Sequence, residues 1–198
     1  ESNQQSNLSE EWELILMHLP YCYQGRRTFI EIFTEENPNL LELQEGENVK
    51  EKIKALAKSP EYLDLVNQYI SPSEIASGQI GNIYTGSIFL GLLSTLCYHN
   101  QQNTTLENKK VGFIAYGSGS KSKVFEATVC ENWKSAISQI QLFETLENNH
   151  SIDFETYEKL HKKELQHSVF APKNEFVLAS IEKDNPVLVG ARYYEFVF

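Results

Sequence analysis

Residues 79–96, QIGNIYTGSIFLGLLSTL, decide the fold of this chain. The first half of this stretch holds polar residues around Asn82 and Tyr84, and the second half is apolar and uncharged. The stretch also contains three glycines and two serines, small residues that let neighbouring backbones approach closely and would gain nothing on a solvent-facing helix. We therefore predict a helix in the protein interior. Free N–H groups and the helix dipole at its polar start favour an anion or a carbonyl oxygen, so this end is a candidate site.

The composition excludes several classes of partner. The chain has 198 residues, of which 41% are hydrophobic and 22% are charged, as in an ordinary globular domain. Its net charge of −10 argues against nucleic acid, whose phosphates bind basic surfaces. No stretch resembles a membrane span, and residues 1–11 are polar and acidic where a secretion signal would be basic and apolar. We therefore expect a cytoplasmic protein with no nucleic-acid and no membrane partner.

The spacing of cysteine and histidine indicates neither a metal site nor a redox site. Cys22, Cys97 and Cys130 form no CxxC pair, and no His or Cys residues stand at the spacing typical of zinc ligands. We interpret the three cysteines as reduced thiols that serve as small buried hydrophobic residues rather than as nucleophiles. The phosphate-binding GxxxxGK motif is also missing from the sequence. We expect no metal and no cofactor.

Hydrophobic periodicity and turn residues predict a mixed α/β order. The predicted strands are residues 12–17, 111–116 and 122–130, followed by a C-terminal hairpin of residues 175–182 and 187–198. The predicted helices are residues 28–35, 49–58, 60–70, the central helix up to Tyr98, 133–144 and 153–167. Residues 71–79 are predicted to be a turn-rich connector. Residues 1–11 are predicted to be a disordered or linker N-terminus, and residues 12–198 to form the domain.

A histidine directly follows the first predicted strand. His18 precedes Leu19-Pro20, and Pro20 favours an extended conformation there. A histidine in this position can hydrogen-bond a substrate carbonyl near neutral pH, or it can be satisfied by a backbone carbonyl. The remaining histidines are expected to lie in solvent; they are His99, His150, His161 and His167.

Two turns offer further candidate residues. The side chain of Asn82 can cap the central helix, or it can turn its amide toward a ligand at the same place. Residues 117–120, GSGS, link two predicted strands, and their backbone N–H groups could bind an oxygen or a phosphate. A hairpin turn that glycine permits is the more common explanation of such a sequence. The residues alone leave both alternatives open.

Three segments together resemble the hydroxymethylglutaryl-CoA synthase family of thiolase-like condensing enzymes. They are residues 18–21 (HLPY) with 25–27 (GRR), residues 80–87 (IGNIYTGS) and residues 116–119 (YGSG). The resemblance runs from about residue 12 to the C-terminal hairpin. It implies an α/β protein with the layered α-β-α fold of the thiolases, of which this chain forms only the C-terminal half, with a β-hairpin extension at its end.

The resemblance also implies a reaction and a set of roles. In this family an acetyl group on an enzyme cysteine loses a methyl proton and attacks the ketone of acetoacetyl-CoA, and hydrolysis then releases hydroxymethylglutaryl-CoA for the mevalonate pathway. The implied catalytic residue is His18, which would polarise the acetoacetyl carbonyl. The implied substrate-binding residues are Asn82, Ser118 and Tyr84, and the implied CoA-binding residues are Arg26 and Arg27.

The sequence departs from the family pattern in two respects. Tyr23 stands where the CoA-dependent enzymes usually carry a lysine, a lysine that relatives acting on carrier-protein substrates in polyketide β-branching also lack. No segment resembles those that carry the nucleophilic cysteine and the general-base glutamate. We therefore expect this chain alone to be inactive and to need an N-terminal half or partner subunit, in a complete enzyme that is a homodimer. The alternatives are a carrier-protein-dependent synthase and a non-catalytic scaffold subunit.

Overall fold

The computed structural model describes residues 7–43, 46–117, 120–165 and 167–198, and it divides the chain into two units, Glu1–Asn149 and His150–Phe198. The α-helices are α1 (Leu8–Glu11), α2 (Gln24–Glu36), α3 (Val49–Leu56), α4 (Pro60–Tyr69), α5 (Ser71–Ile80), α6 (Ser87–Gln101), α7 (Trp133–Ile137), α8 (Leu142–Glu147) and α9 (Phe154–His161). The strands are β1 (Leu14–Met17), β2 (Lys110–Gly117), β3 (Lys121–Thr128), β4 (Glu175–Ile181) and β5 (Arg192–Val197). Two 3₁₀ turns lie at Pro38–Leu41 and Tyr84–Gly86.

A three-stranded sheet in the order β1-β2-β3 organises the first unit. β1 runs parallel to β2, with Leu14 opposite Val111, and the connection between these strands passes through α2 to α6. β2 and β3 form an antiparallel hairpin in which Lys110 lies opposite Thr128. The three strands and the hairpin that the sequence predicts are confirmed, with ends that differ by a few residues.

Strand β1 is buried on both faces of the sheet. Leu14 and Leu16 point into one hydrophobic core, and Ile15 and Met17 point into another, because successive side chains of a strand face opposite sides. All four are at most 3% exposed. The core on the Leu14 side is completed by residues of α5, α6, α7 and α8, and the core on the Ile15 side by residues of α2 and α4. Helices thus cover both faces of β1, in the α-β-α order that the family resemblance implies, whereas every residue of β3 is exposed.

The small residues of α6 pack against α5, as the opening prediction requires. The Ser94 hydroxyl donates to the Pro72 carbonyl at 2.7 Å and accepts from the Ala76 N–H at 3.3 Å. A Cβ added at Gly91 would lie 3.4 Å from the Cβ of Ser73, so the two helices already touch at this point. The buried central helix is therefore confirmed, and its glycine and serine residues lie where it meets its neighbour.

The prediction of a turn-rich connector at residues 71–79 is wrong, because this segment is the helix α5. Pro72 occupies the first turn, where its missing N–H costs nothing. Ser73 and Ser77 resemble turn residues in the sequence, but both are buried, as close packing against another helix requires. The helix then ends at Gly81, whose φ of +85° is readily available only to glycine.

Other element boundaries also differ from the predictions. The single helix predicted at residues 133–144 is divided into the two short helices α7 and α8. Helix α9 ends at His161 rather than at residue 167. The one-turn helix α1 lies inside the segment predicted to be a disordered or linker N-terminus. The division of the chain at residue 12 stays a prediction.

The second unit contains α9 and the predicted C-terminal hairpin, which is confirmed. β4 and β5 are antiparallel, with Glu175 opposite Val197 and an irregularity between Leu178 and Ser180. The Glu182 carboxylate accepts the N–H groups of the three residues that follow it, at 3.0, 2.9 and 3.2 Å. These backbone donors lower the pKa of Glu182 and close the end of β4.

Cysteine burial follows the prediction only in part. All three thiols are free. Cys97 is buried as predicted, but Cys22 is half-buried and Cys130 is exposed. Burial raises the pKa of the Cys97 thiol, which makes it a poor nucleophile. Within the described ranges, no helix has the length and apolar character needed to cross a membrane.

His99 corrects the prediction that this histidine lies in solvent. Both ring nitrogens are buried, and neither has a hydrogen-bond partner in the part of the chain that the structure describes. Helix α6 continues past Tyr98 to Gln101, and His99 lies on this last turn. Burial lowers the pKa of His99, and the charge of Glu13 opposes this shift only in part.

The burial of His99 predicts a loss of stability in acid. Its pKa is lower in the folded protein than in the unfolded chain, so the contribution of neutral His99 is complete above about pH 6.5 and is lost as the pH falls toward the folded-state value. We expect the free energy of unfolding to decline less between about pH 7.5 and pH 5 in His99→Gln than in the unsubstituted chain. Urea unfolding at a series of pH values measures this, and parallel profiles would contradict the assignment.

Candidate functional site

His18 lies where β1 leaves the sheet and meets the start of α6. Its backbone N–H donates to the Ile114 carbonyl at 3.1 Å, which extends the pairing of β1 with β2 by one residue. The ring Nδ1 lies 2.8 Å from the hydroxyl oxygen of Ser87, the first residue of α6. Ser87 is 1% exposed, whereas His18 is half-buried. The Nδ1 side of the imidazole thus contacts the buried Ser87, and part of the ring is accessible to solvent.

An aromatic ring supports His18 from the second strand. Tyr116 meets the imidazole edge to face, with ring centroids 5.1 Å apart and planes at 87°. Burial raises the pKa of Tyr116, so its phenol stays protonated at neutral pH. Tyr116 is the penultimate residue of β2, and it directly precedes the predicted Gly-Ser-Gly turn in the sequence. Ser118, the substrate-binding residue predicted in that turn, lies outside the described residues.

Asn82 and Tyr84 lie on the loop that joins α5 to α6. The Asn82 Oδ1 accepts the Tyr84 N–H at 2.8 Å, so this side chain caps the 3₁₀ turn rather than α6 itself. That bond fixes the carboxamide through its oxygen, and the amide nitrogen has no protein partner among the described residues. Tyr84 has a φ of +53° and is 78% exposed. Both side chains are exposed, a few residues before Ser87, without a described contact to His18.

Arg26 is held by a carboxylate from another helix. Its Nε donates to Glu74 Oε1 at 3.0 Å, and its Nη2 donates to Glu74 Oε2. Glu74 is 5% exposed, so this two-point ion pair neutralises a buried carboxylate between α2 and α5. The hydrogen bonds that Arg26 donates to Glu74 raise the pKa of Arg26. The family resemblance assigns Arg26 to CoA binding, and the structure gives its guanidinium an internal partner.

Arg27 has a different environment from its neighbour. It is exposed, and its guanidinium lies over the ring of Tyr21, 5.7 Å from the centroid. Arg26 lies in the same way over Tyr23, at 4.8 Å. In the described part of the chain no carboxylate is paired with Arg27. Of the two arginines, Arg27 is therefore the one whose charge faces solvent.

Sequence reasoning missed three residues of this site. Ser87 and Tyr116 stand inside the motifs quoted above, yet no role could be given to them before the fold placed them beside His18. Glu74 was missed because it lies in the segment predicted to be a connector. The available signal for Ser87 is a serine at the start of an apolar, uncharged helical stretch that is itself predicted to be buried.

A comparison with protein families identifies the chain. The family model described as hydroxymethylglutaryl-coenzyme A synthase, C terminal, matches residues 1–186. This chain belongs to that family. It is 28% identical over 148 residues to a hydroxymethylglutaryl-CoA synthase of Haloferax volcanii, a match that covers 72% of this chain and 32% of the relative.

Solved structures of hydroxymethylglutaryl (HMG) synthases share the fold. The chain superposes with a TM-score of 0.71 on MvaS in complex with 3-hydroxy-3-methylglutaryl coenzyme A, at 23% identity, covering all of this chain and 44% of MvaS. It superposes with a TM-score of 0.69 on the HMG synthase of the curacin biosynthetic pathway in complex with holo donor-ACP, at 20% identity, covering 98% of this chain and 45% of that one. The thiolase-like fold class is thereby confirmed, and the chain spans less than half the length of these proteins.

The two arginines allow a matched test of whether the ion pair of Arg26 with Glu74 stabilises the fold, with the exposed Arg27 as the control. We expect Arg26→Leu to lower the free energy of unfolding by about 2–3 kcal/mol, because it leaves the buried Glu74 carboxylate without its cation while Arg26 itself is a third exposed. Arg27→Leu should change stability by about 0.5 kcal/mol or less. Urea unfolding followed by the fluorescence of the buried Trp12 and Trp133 measures both. Equal effects of the two substitutions would show that the ion pair does not stabilise the fold.

Proposed function

We propose that this chain forms the acetoacetyl-CoA-binding part of a hydroxymethylglutaryl-CoA synthase, which condenses acetyl-CoA with acetoacetyl-CoA in the mevalonate pathway. The observation that carries the proposal is the half-buried imidazole of His18, held through Nδ1 by Ser87 and supported by Tyr116. Membership of the synthase family supports the reaction, and the position of His18 at the end of a rigid strand supports its role.

In the proposed reaction His18 donates a hydrogen bond to the ketone oxygen of acetoacetyl-CoA. The carbanion of an acetyl group bound as a thioester forms a carbon–carbon bond to that ketone carbon, and the oxygen takes up the electron pair of the carbonyl bond and then a proton. Water then hydrolyses the thioester that joins the product to the enzyme cysteine. The thioester to CoA stays intact, and hydroxymethylglutaryl-CoA is released. A donor placed in advance at such an oxygen contributes about 3–4 kcal/mol to the stabilisation of the transition state.

The proposed reaction needs a nucleophilic thiol and a general base beside His18. The described contacts of the His18 side chain are with Ser87 and Tyr116, and Cys97 is buried with a raised pKa. We therefore assign the nucleophile and the base to a region equivalent to the N-terminal part of the relatives, present in the same polypeptide or in a partner subunit. The homodimer implied by the family resemblance stays a prediction.

A second candidate is the same condensation on substrates attached to a carrier protein. Two observations favour it: Tyr23 stands where the CoA-dependent enzymes carry a lysine, and Arg26 is neutralised by Glu74. Arg27 is then the exposed arginine of this helix turn that remains for the phosphates of CoA. A substrate on a carrier protein brings one phosphodiester instead of the several charges of CoA, so it needs fewer cations.

Restoring a complete enzyme tests the proposal. We expect this chain, fused to or co-expressed with the N-terminal part of the H. volcanii synthase, to consume acetoacetyl-CoA in the presence of acetyl-CoA and to form hydroxymethylglutaryl-CoA. The N-terminal part with its own C-terminal part is the positive control. Replacing acetoacetyl-CoA by the acetoacetyl carrier protein, with kcat/KM measured for each, separates the two candidates.

Acetyl transfer to the N-terminal part gives an internal control for this assay. A complex that folds and takes up the acetyl group of acetyl-CoA, but consumes neither acetoacetyl thioester, would contradict both candidates and favour a non-catalytic scaffold.

Substitution of His18 tests the assigned donor. We expect His18→Ala to lower kcat/KM for acetoacetyl-CoA by roughly 10²–10³-fold, as for the loss of one oxyanion donor, with acetyl transfer unchanged. His18→Gln should retain more activity than His18→Asn, because the amide nitrogen of glutamine lies closer to the position of the histidine Nε2. Full activity of His18→Ala in the complete enzyme would overturn the assignment.

A further inference from the structure

The hydroxyl of Ser87 makes two hydrogen bonds to the segment that carries the candidate catalytic residue. It accepts the N–H of Leu19 at 3.0 Å and lies 2.8 Å from His18 Nδ1. Ser87 is 1% exposed, so solvent contributes little to satisfying this group. The two contacts join the first residue of α6 to the end of β1.

The protons of this contact can be assigned by counting donors and acceptors. The Leu19 N–H can only donate, so it occupies one lone pair of the Ser87 oxygen. The hydroxyl proton then needs an acceptor, and His18 Nδ1 is the one that the described residues place within reach. If Nδ1 carried a proton, the Ser87 oxygen would accept twice and its own buried hydrogen would lack a partner, which is unfavourable.

We propose that Ser87 is a positioning residue that holds His18 as the neutral tautomer with its proton on Nε2, so that Nε2–H is the donor offered to the substrate oxygen. This inference rests on the proposed function for its consequence in catalysis, but the tautomer itself is a property of the chain without substrate. Which nitrogen carries the proton decides whether the exposed side of the ring donates or accepts. A carbonyl oxygen needs the donor.

Nitrogen NMR on the ¹⁵N-histidine-labelled full chain, at a pH where the ring is neutral, tests the tautomer directly. We expect the His18 signals, assigned by their loss in His18→Gln, to show a protonated Nε2 and an unprotonated Nδ1 that accepts a hydrogen bond. In Ser87→Ala the hydrogen-bond shift of Nδ1 should disappear and the Nδ1–H form should become measurable. Ser87→Thr keeps a hydroxyl and should retain the pattern of the unsubstituted chain.

Two results would overturn the inference. One is a protonated Nδ1 in the unsubstituted chain, a measurement that needs no variant and does not depend on whether Ser87→Ala folds. The other is a His18 spectrum that is the same in folded Ser87→Ala and in the unsubstituted chain. Neither result depends on turnover, so the tautomer assignment and the proposed function can fail separately.

In the complete enzyme the same variants have an expected kinetic effect. Ser87→Ala should lower kcat/KM for the acetoacetyl thioester at least about tenfold, because a wrong tautomer alone can cost a histidine-dependent enzyme about 10⁴-fold. Ser87→Thr should restore most of the loss. In a His18→Gln background Ser87→Ala should add little, because glutamine has no second tautomer, and an equal further loss there would show that Ser87 acts in another way.

Discussion

The burial of β1 on both faces is the constraint on which the rest of the structure depends. Four apolar residues alternate between two cores, and each core needs its own layer of helices. One edge of this strand is hydrogen-bonded to β2, and this pairing fixes the direction and the register of β1 together. His18 is the first residue beyond the buried segment. Its place is therefore set by the packing of Leu14–Met17 and only then refined by its own contacts.

The position of Ser87 depends on how closely α5 and α6 approach each other. Ser87 begins α6, and the position of α6 is set by its contacts with α5, where a Cβ added at Gly91 would lie in van der Waals contact with Ser73 and where Ser94 bonds the backbone of the neighbouring helix. A side chain larger than that of alanine at Gly91 would push the helices apart and move the Ser87 hydroxyl with them. The small residues that indicate a buried helix in the sequence thus also determine the geometry at His18.

Sequence signals predict a local structure well where the residues that cause it are close together in the chain. Helix α4 begins at Pro60, as the sequence predicts, and the Ser59 hydroxyl before it accepts the Tyr62 N–H at 3.3 Å. Prediction fails where the cause lies far along the chain. Glu74 is 48 residues from Arg26, and Ser87 is 69 residues from His18, so neither contact has a local pattern. The helix α5 was missed for the same reason, because its buried Ser73 makes sense only where it packs against Gly91 of α6. The role of Ser118 in binding stays a prediction.

In the proposed function, the condensation and the choice of acyl carrier depend on different residues of this chain. The proposed donor function belongs to His18 and Ser87, which lie between β1 and α6. The choice of carrier depends on exposed charge at the start of α2, where Arg27 stands on Tyr21 and a tyrosine replaces the lysine of the CoA-dependent enzymes. In a chain of net charge −10, the phosphates of CoA need local cations to offset repulsion, and Arg26 is already paired with Glu74. In the proposed function, substitutions at Tyr23 therefore change the preferred carrier without changing the chemistry at His18.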